Sequence, residues 1–323
     1  MALQERSWEA KALRAVEPRR YVVYFAFALV VLVFAVTLRD EGFLTQTNVL
    51  NIVRQTTPVT VMAVAVVFVL SAGEIDLSLG SVVALAALVT AEVMQSQSAV
   101  LAVVAGLGVG LGVGAVNGLF VTLLRLPSFL VTLASMGIVA GLARTITNLE
   151  SVAVENRTFI DIFGSGNAGP IPSLALWGLG AVALGQFLFR HQRFGAHVVA
   201  TGDNVRAARA TGIRVDRVRF AVLALSGTSA AVAGILYTGR LQGATYTLGE
   251  QDVLTVIAAV VIGGTRLFGG EGSVVGALVG SLIIGTLTNG LILAGFSPSE
   301  QLISQGVLLL LAISLTLREP RTE

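Results

Sequence analysis

Residues 191–220 read HQRFGAHVVATGDNVRAARATGIRVDRVRF. Long apolar runs flank this stretch on both sides. Arg190, Arg193, Arg206, Arg209, Arg214, Arg217 and Arg219 lie in or beside it, seven of the chain's 21 basic residues, and only Asp203 and Asp216 offset them. A net-positive polar loop between two apolar blocks reads as a cytoplasmic loop of a membrane protein. Its middle reads as a short helix. Asp203 or Asn204 supplies the N-cap, Val205 to Thr211 is mostly helix-forming, and Gly212 ends it. Asn204, Ala207, Ala208 and Thr211 fall on one small-residue face, and Arg206 and Arg209 on another. A small face lets a helix backbone press closely on a partner. The alternative is a solvated loop whose arginines only set orientation.

Composition agrees with a membrane chain. Of 323 residues, 54% are hydrophobic and 12% charged, against roughly 25% charged in soluble domains. The mean hydropathy is +0.84. A net charge of +2 gives no reason to expect nucleic acid as a partner. The absence of cysteine excludes disulfides, thiolate metal sites and a cysteine nucleophile. No short apolar stretch with a small-residue cleavage site opens the chain, so no signal peptide is read.

In order along the chain, residues 1–20 form a basic cytoplasmic arm, mobile or lying on the surface. Residues 21–317 form the transmembrane domain, with the polar loop at 191–217, and 318–323 a polar tail. Apolar segments near 21–38, 48–70, 82–94, 99–124, 128–147, 174–189, 218–238, 253–265, 273–293 and 301–317 predict an all-α polytopic protein of about ten transmembrane helices. The first, at 18 residues, is about 27 Å long, just enough for the hydrocarbon core. Pro58 predicts a kink in the second. The eighth is short, either a half-helix or a helix that begins near Gly249. Ten spans put both termini on one side, and 16 of 21 basic residues fall on the side assigned to the cytoplasm. Gly106, Gly110, Gly114 and Gly118 repeat every four residues in an apolar segment, a stripe for close helix packing, with Gly108 and Gly112 interleaved.

Catalytic chemistry has little to stand on. Both histidines, His191 and His197, lie in the polar loop. The only lysine is Lys11, so no phosphate-binding loop ending in Lys-Ser or Lys-Thr exists, and any ATP used must be bound by another subunit. Glu74 and Asp76 stand out, because carboxylates among spans are costly and usually functional. Asp76 or Ser78 could instead cap the helix beginning near Leu79, and the two acids lack an obvious partner. Ser78, Asn117, Thr132, Ser135, Ser226, Thr228, Ser229, Asn289 and Gln301 could line a path or simply hydrogen-bond between helices. Phe129 could stack on a sugar face or pack.

Four segments carry a family resemblance. RFGAHVVATGDNVRAARATGI (193–213) resembles the cytoplasmic coupling segment of permease subunits of ribose-type sugar ABC importers, within the branched-chain amino acid/ribose permease superfamily. Arg193, Phe194, Gly195, Ala200, Gly202, Asn204, Ala207, Ala208, Arg209, Gly212 and Ile213 match the family's form. GEIDLSLGS (73–81), LPSFLVTLASM (126–136) and AAVVIGGTRLFGGEGSVVGALVG (258–280) are similar to it as well. The family usually shows Gly-Gly-Ile-Asp at the first of these, and here Glu74 replaces the second glycine. The resemblance implies a bacterial inner-membrane permease that is not itself an enzyme and holds no cofactor. It implies two permease copies, identical or not, two ATP-binding cassette subunits and an extracytoplasmic solute-binding protein. The coupling residues would be Asp203, Asn204, Ala207, Ala208, Arg209 and Gly212, and bulky substitutions at Ala207 or Ala208 would abolish transport alone. A secondary transporter driven by an ion gradient is the alternative. It would need acids paired at mid-membrane depth, for which Glu74 and Asp76 are the candidates.

Overall fold

The computed structural model describes residues 19–316. The predicted arm, except its last two residues, and the predicted tail lie outside them. The described helices are α1 (Arg19–Thr37), α2 (Gln46–Ser71), α3 (Leu79–Ser96), α4 (Ala99–Leu123), α5 (Ser128–Ile146), α6 (Arg157–Phe163), α7 (Ser173–Arg190), α8 (Arg193–Asp203), α9 (Val205–Ala210), α10 (Val215–Leu241), α11 (Asp252–Ile262), α12 (Val274–Leu293) and α13 (Pro298–Thr316). The chain is all-α and polytopic. A helix stands over each of the ten apolar segments. Seven of them, α2, α3, α4, α5, α7, α10 and α12, are long and apolar enough to cross a membrane. Val23–Thr37 within α1 and the 11-residue α11 are apolar but shorter.

Burial sorts the helices. In α2, 83% of the apolar window is buried, against 22% in α4 and α5. The centre is therefore α2, packed by α10, α12, α7 and α11. Pro58 does not end α2 and is itself buried. The outer helices expose Leu111, Leu119, Leu130, Leu133 and Ile138. Such an apolar exterior suits lipid, whose tails are as apolar as leucine.

The glycine stripe of α4 sets a close helix contact. A Cβ on Gly110 would collide with the Gly227 carbonyl of α10, and one on Gly227 with the Gly110 carbonyl. Gly114 meets the Leu223 carbonyl, Gly118 meets Phe220, and Gly106 meets Thr90 and Ala86 of α3. The interleaved Gly108 and Gly112 face open space instead and take no part in this packing.

The bundle has two distinct ends. At the near end sit α8, α9, the break at 72–78 and the glycine turn at 269–270. At the far end sit α6 and two short antiparallel ladders, β1 (Val152–Ala153) with β4 (Gly243–Ala244), and β2 (Asn167–Ala168) with β3 (Ile171–Pro172). Residues 148–173, between two of the apolar segments, hold a helix and three strands. The loop expected at 191–217 holds two helices rather than one, and α10 already begins at Val215.

Candidate functional site

The near-end site is built on α8. Phe194 stacks on Phe68 of α2 with ring centroids 5.7 Å apart, and Phe68 meets Phe189 edge-on at 5.1 Å. Gly195 packs on the Phe189 backbone. At the other end of α8, a Cβ on Gly202 would collide with the Ser71 carbonyl, which itself accepts a 3.1 Å hydrogen bond from Gly270 N–H. Ser71 Oγ donates to the Glu271 carbonyl at 3.2 Å. Three parts of the chain meet here: the end of α2, the end of α8 and the turn before α12. Only glycine lets these backbones approach so closely.

Asn204 then turns the chain out of α8 and caps α9. Its Oδ1 accepts from Arg206 N and Ala207 N, both at 3.0 Å. Asp203, the other cap considered, is the last residue of α8. Gly212, at φ +86°, closes α9 with Gly212 N to Arg209 O and Ile213 N to Ala208 O, both 3.0 Å. Arg209 reaches Asp216 at 3.3 Å, tying α9 to α10. The expected small face is split. Ala208 is buried at 4% exposure, while Ala207, Asn204 and Thr211 are exposed beside Arg206 and Arg209. Most of the matching motif thus builds the joint, and a short exposed ridge remains free.

The α2–α3 break lies directly against this joint. Gly73 (φ +77°) and Glu74 end α2 in the same closure as α9, with Gly73 N to Leu70 O at 2.9 Å and Glu74 N to Val69 O at 3.0 Å. The extended residues that follow are pinned by α5. Ser128 Oγ accepts from Ile75 N at 3.0 Å, and Thr132 Oγ1 accepts from Leu77 N at 3.1 Å while donating to Ile75 O at 3.2 Å. Ser78 precedes α3 but makes no side-chain cap bond. Asp76 Oδ1 accepts from Ser78 N at 2.9 Å and Ser78 Oγ at 2.6 Å, a local turn that braces the residue before the helix. Asn117 Nδ2 donates to Ser78 Oγ at 3.0 Å. The sequence shows no obvious partner for Glu74 or Asp76. In the fold, Arg219 of α10 stands 2.7 Å from the Glu74 carboxylate, and Ser226 of α10 faces Asp76.

The structure gathers Glu74, Asp76, Ser78, Asn117, Thr132 and Ser226 but not the remaining path candidates. Asn289 lies between α12 and α2, where it and Asn48 exchange two amide hydrogen bonds of 2.9 Å. Phe129 is 46% exposed on the outside of α5, and Ser135 is half-buried. The sequence reading missed Ser128 as an anchor of the break and Arg219 as a counter-ion. It also missed a far-end cluster in which Asp252 meets Tyr237 and Arg240, with Arg54 nearby. In the sequence these arginines enter only through the charge bias, which conceals their partners.

A cavity of about 1190 Å³ runs along α2 between α7 and α10. Val61, Phe68, Trp177, Thr228 and Ser229 help line it, and none of the polar break residues does. Among the described residues, no group of three or more His, Asp or Glu side chains is placed to hold a metal.

Comparison with known proteins fits this architecture. Ribose import permease protein RbsC of Escherichia coli (strain K12) is 38% identical over 291 residues, covering 88% of this chain and 90% of that protein. Its Bacillus subtilis (strain 168) namesake is 38% identical over 289 residues, covering 89% and 90%. D-allose transport system permease protein AlsC of Escherichia coli (strain K12) is 32% identical over 298 residues, covering 92% and 91%. No solved structure matches. The family described as "Branched-chain amino acid transport system / permease component" matches residues 48–313, most of the described helices and the whole near-end joint, and this chain belongs to it.

Proposed function

We propose that this chain is the membrane subunit of an ATP-driven importer for a monosaccharide or similar small polar solute. Ten spans with both termini cytoplasmic would put the near end in the cytoplasm and the far end outside. The chain binds no ATP itself. Two ATP-binding cassette subunits, a second permease copy and an extracytoplasmic binding protein complete the transporter. The solute class rests on the relatives that carry ribose and D-allose in their names.

One observation carries the mechanism: the exposed ridge of α9 continues into a joint that touches four other parts of the bundle. Ala207 and its arginine neighbours dock on the ATPase. Movement of that subunit on ATP binding shifts α9 and α8 together. Gly202 passes the shift to the end of α2 and the turn before α12, and Arg219 passes it to Glu74 and the break. Packed elements of this kind move as rigid bodies between discrete arrangements. The spans then alternate between outward-open and inward-open states.

The test is solute uptake with the partner ATPase intact or mutated in its phosphate-binding loop. Uptake should vanish with the mutation. Uptake that persists, and collapses with an uncoupler, would move the chain to the ion-driven class.

A further inference from the structure

We infer that the cavity along α2 is a phospholipid site, which takes an acyl chain along its length and an ammonium headgroup at the far end. Its volume is about 1190 Å³. On α7 its wall is one helix face, carried by Trp177, Gly180, Ala181, Leu184 and Leu188, and from Ser173 to Leu188 that face runs about 22 Å. The helix is long and apolar enough to cross a membrane, so most of this wall lies at hydrocarbon depth. A Cβ on Gly180 would meet nothing within 4 Å, so the middle of the cavity is open. The hydroxyls on the α10 side are turned to their own helix. Thr228 Oγ1 donates to the Ala224 carbonyl and Ser229 Oγ to the Ser226 carbonyl, both at 2.8 Å. With those donors occupied, the long wall suits an apolar chain rather than a polyhydroxylated solute.

Charge gathers at one mouth. Asp161, Ser165 and Asn167 line the far end, and the Asp161 side chain is exposed. Arg54 Nη2 donates to Asn167 Oδ1 at 2.9 Å. Neither Asp161 nor Arg54 forms an ion pair among the described residues. A free anion and a free cation at one mouth match a zwitterionic headgroup, with its ammonium on Asp161 and its phosphate on Arg54. Trp177 Nε1 donates to the Ile162 carbonyl at 3.0 Å and holds the indole near this mouth, as tryptophans sit at a membrane–water boundary. A primary ammonium donates hydrogen bonds to a carboxylate, and a trimethylammonium has no proton to give. The mouth therefore selects phosphatidylethanolamine over phosphatidylcholine.

Trp177 reports on its own site. The chain has two tryptophans, so Trp8→Phe leaves Trp177 alone in the full chain. This protein is placed in phosphatidylcholine vesicles with a rising fraction of lipid brominated in its acyl chains, which quenches an indole on contact. Brominated phosphatidylethanolamine should quench at about a tenfold lower fraction than brominated phosphatidylcholine. Adding Asp161→Asn and Arg54→Gln should abolish that preference, with thermal unfolding unchanged. Gly180→Phe, which fills the open middle, should abolish it as well. Equal quenching by the two lipids, or a preference that survives either variant, would overturn the inference. Quenching that grows as the chain is diluted in lipid would give the cavity to a second copy, and relief of quenching by D-ribose would make it the solute path. Either result overturns the lipid site. None of these readouts uses ATP or a partner subunit, so the importer reading stands or falls separately.

Discussion

Arg219 Nε of α10 lies 2.7 Å from Glu74 Oε1 at the end of α2. The partners differ in access to water, with Glu74 at 6% exposure and Arg219 at 27%. Removing the arginine strands a buried charge, whereas removing the acid leaves a cation that can reach solvent. Arg219→Gln should therefore cost about 2–3 kcal/mol and Glu74→Gln about 1 kcal/mol, with the double variant near the milder single. Thermal unfolding in detergent gives the order, and equal losses would mean that the pair is not coupled as drawn.

The two alanines of the matching motif should behave differently. Ala208 is buried under α9, so Ala208→Trp overpacks the joint and should cost about 3 kcal/mol or more. Ala207 is exposed, so Ala207→Trp should change stability by no more than about 0.5 kcal/mol. It should nevertheless prevent copurification with the ATPase and abolish uptake. A fully assembled, transporting Ala207→Trp protein would move the docking surface away from α9. The Ala208 variant cannot test docking, because it disturbs folding first.

Local pattern made much of this legible. Hydropathy located every long helix, and the four-residue glycine spacing identified the face of α4 that meets α10. The polar run at 191–220 marked the near end of the bundle, and its cap and stop at Asn204 and Gly212 could be read from residue type. What escaped depends on contacts between distant residues. Glu74 and Arg219 are 145 positions apart, and no periodicity joins them. Asn48 and Asn289 are 241 apart, and Asn289 by itself looks like any polar group in a span. The helix α8 was hidden because Gly195 and Gly202 read as loop residues. They are glycine because backbone packs against them, which is a tertiary reason.

The same reasoning separates glycines that look alike. A Cβ at position 110 meets the Gly227 carbonyl, whereas one at position 112 meets nothing within 4 Å. Gly110→Val should therefore leave little monodisperse protein on size-exclusion chromatography. Gly112→Val should elute and melt like the wild type, since valine is no worse than glycine in a helix. Equal damage from both would mean that α4 is rotated from the orientation described here.

Asp76 offers the sharpest separation of structure from transport chemistry. Its Oδ1 holds Ser78 N–H and Ser78 Oγ, and through Ser78 it reaches Asn117, while Oδ2 is buried without a hydrogen bond beside Ser226. Asparagine keeps the Oδ1 acceptor and turns an amide NH₂ toward the Ser226 hydroxyl, which can accept it. Asp76→Asn should therefore melt within about 1 kcal/mol of the wild type, and Asp76→Ala should lose about 1–3 kcal/mol as buried donors go unpaired. An importer driven from α9 needs this residue only to shape the break, so the Asn variant should retain ATP-dependent uptake. An ion-coupled carrier needs a carboxylate that binds and releases a cation or proton, and asparagine would stop it. Loss of uptake in an Asp76→Asn protein that is stable and still bound to its ATPase would put the carboxylate in the transport step and overturn its role as a brace of the break.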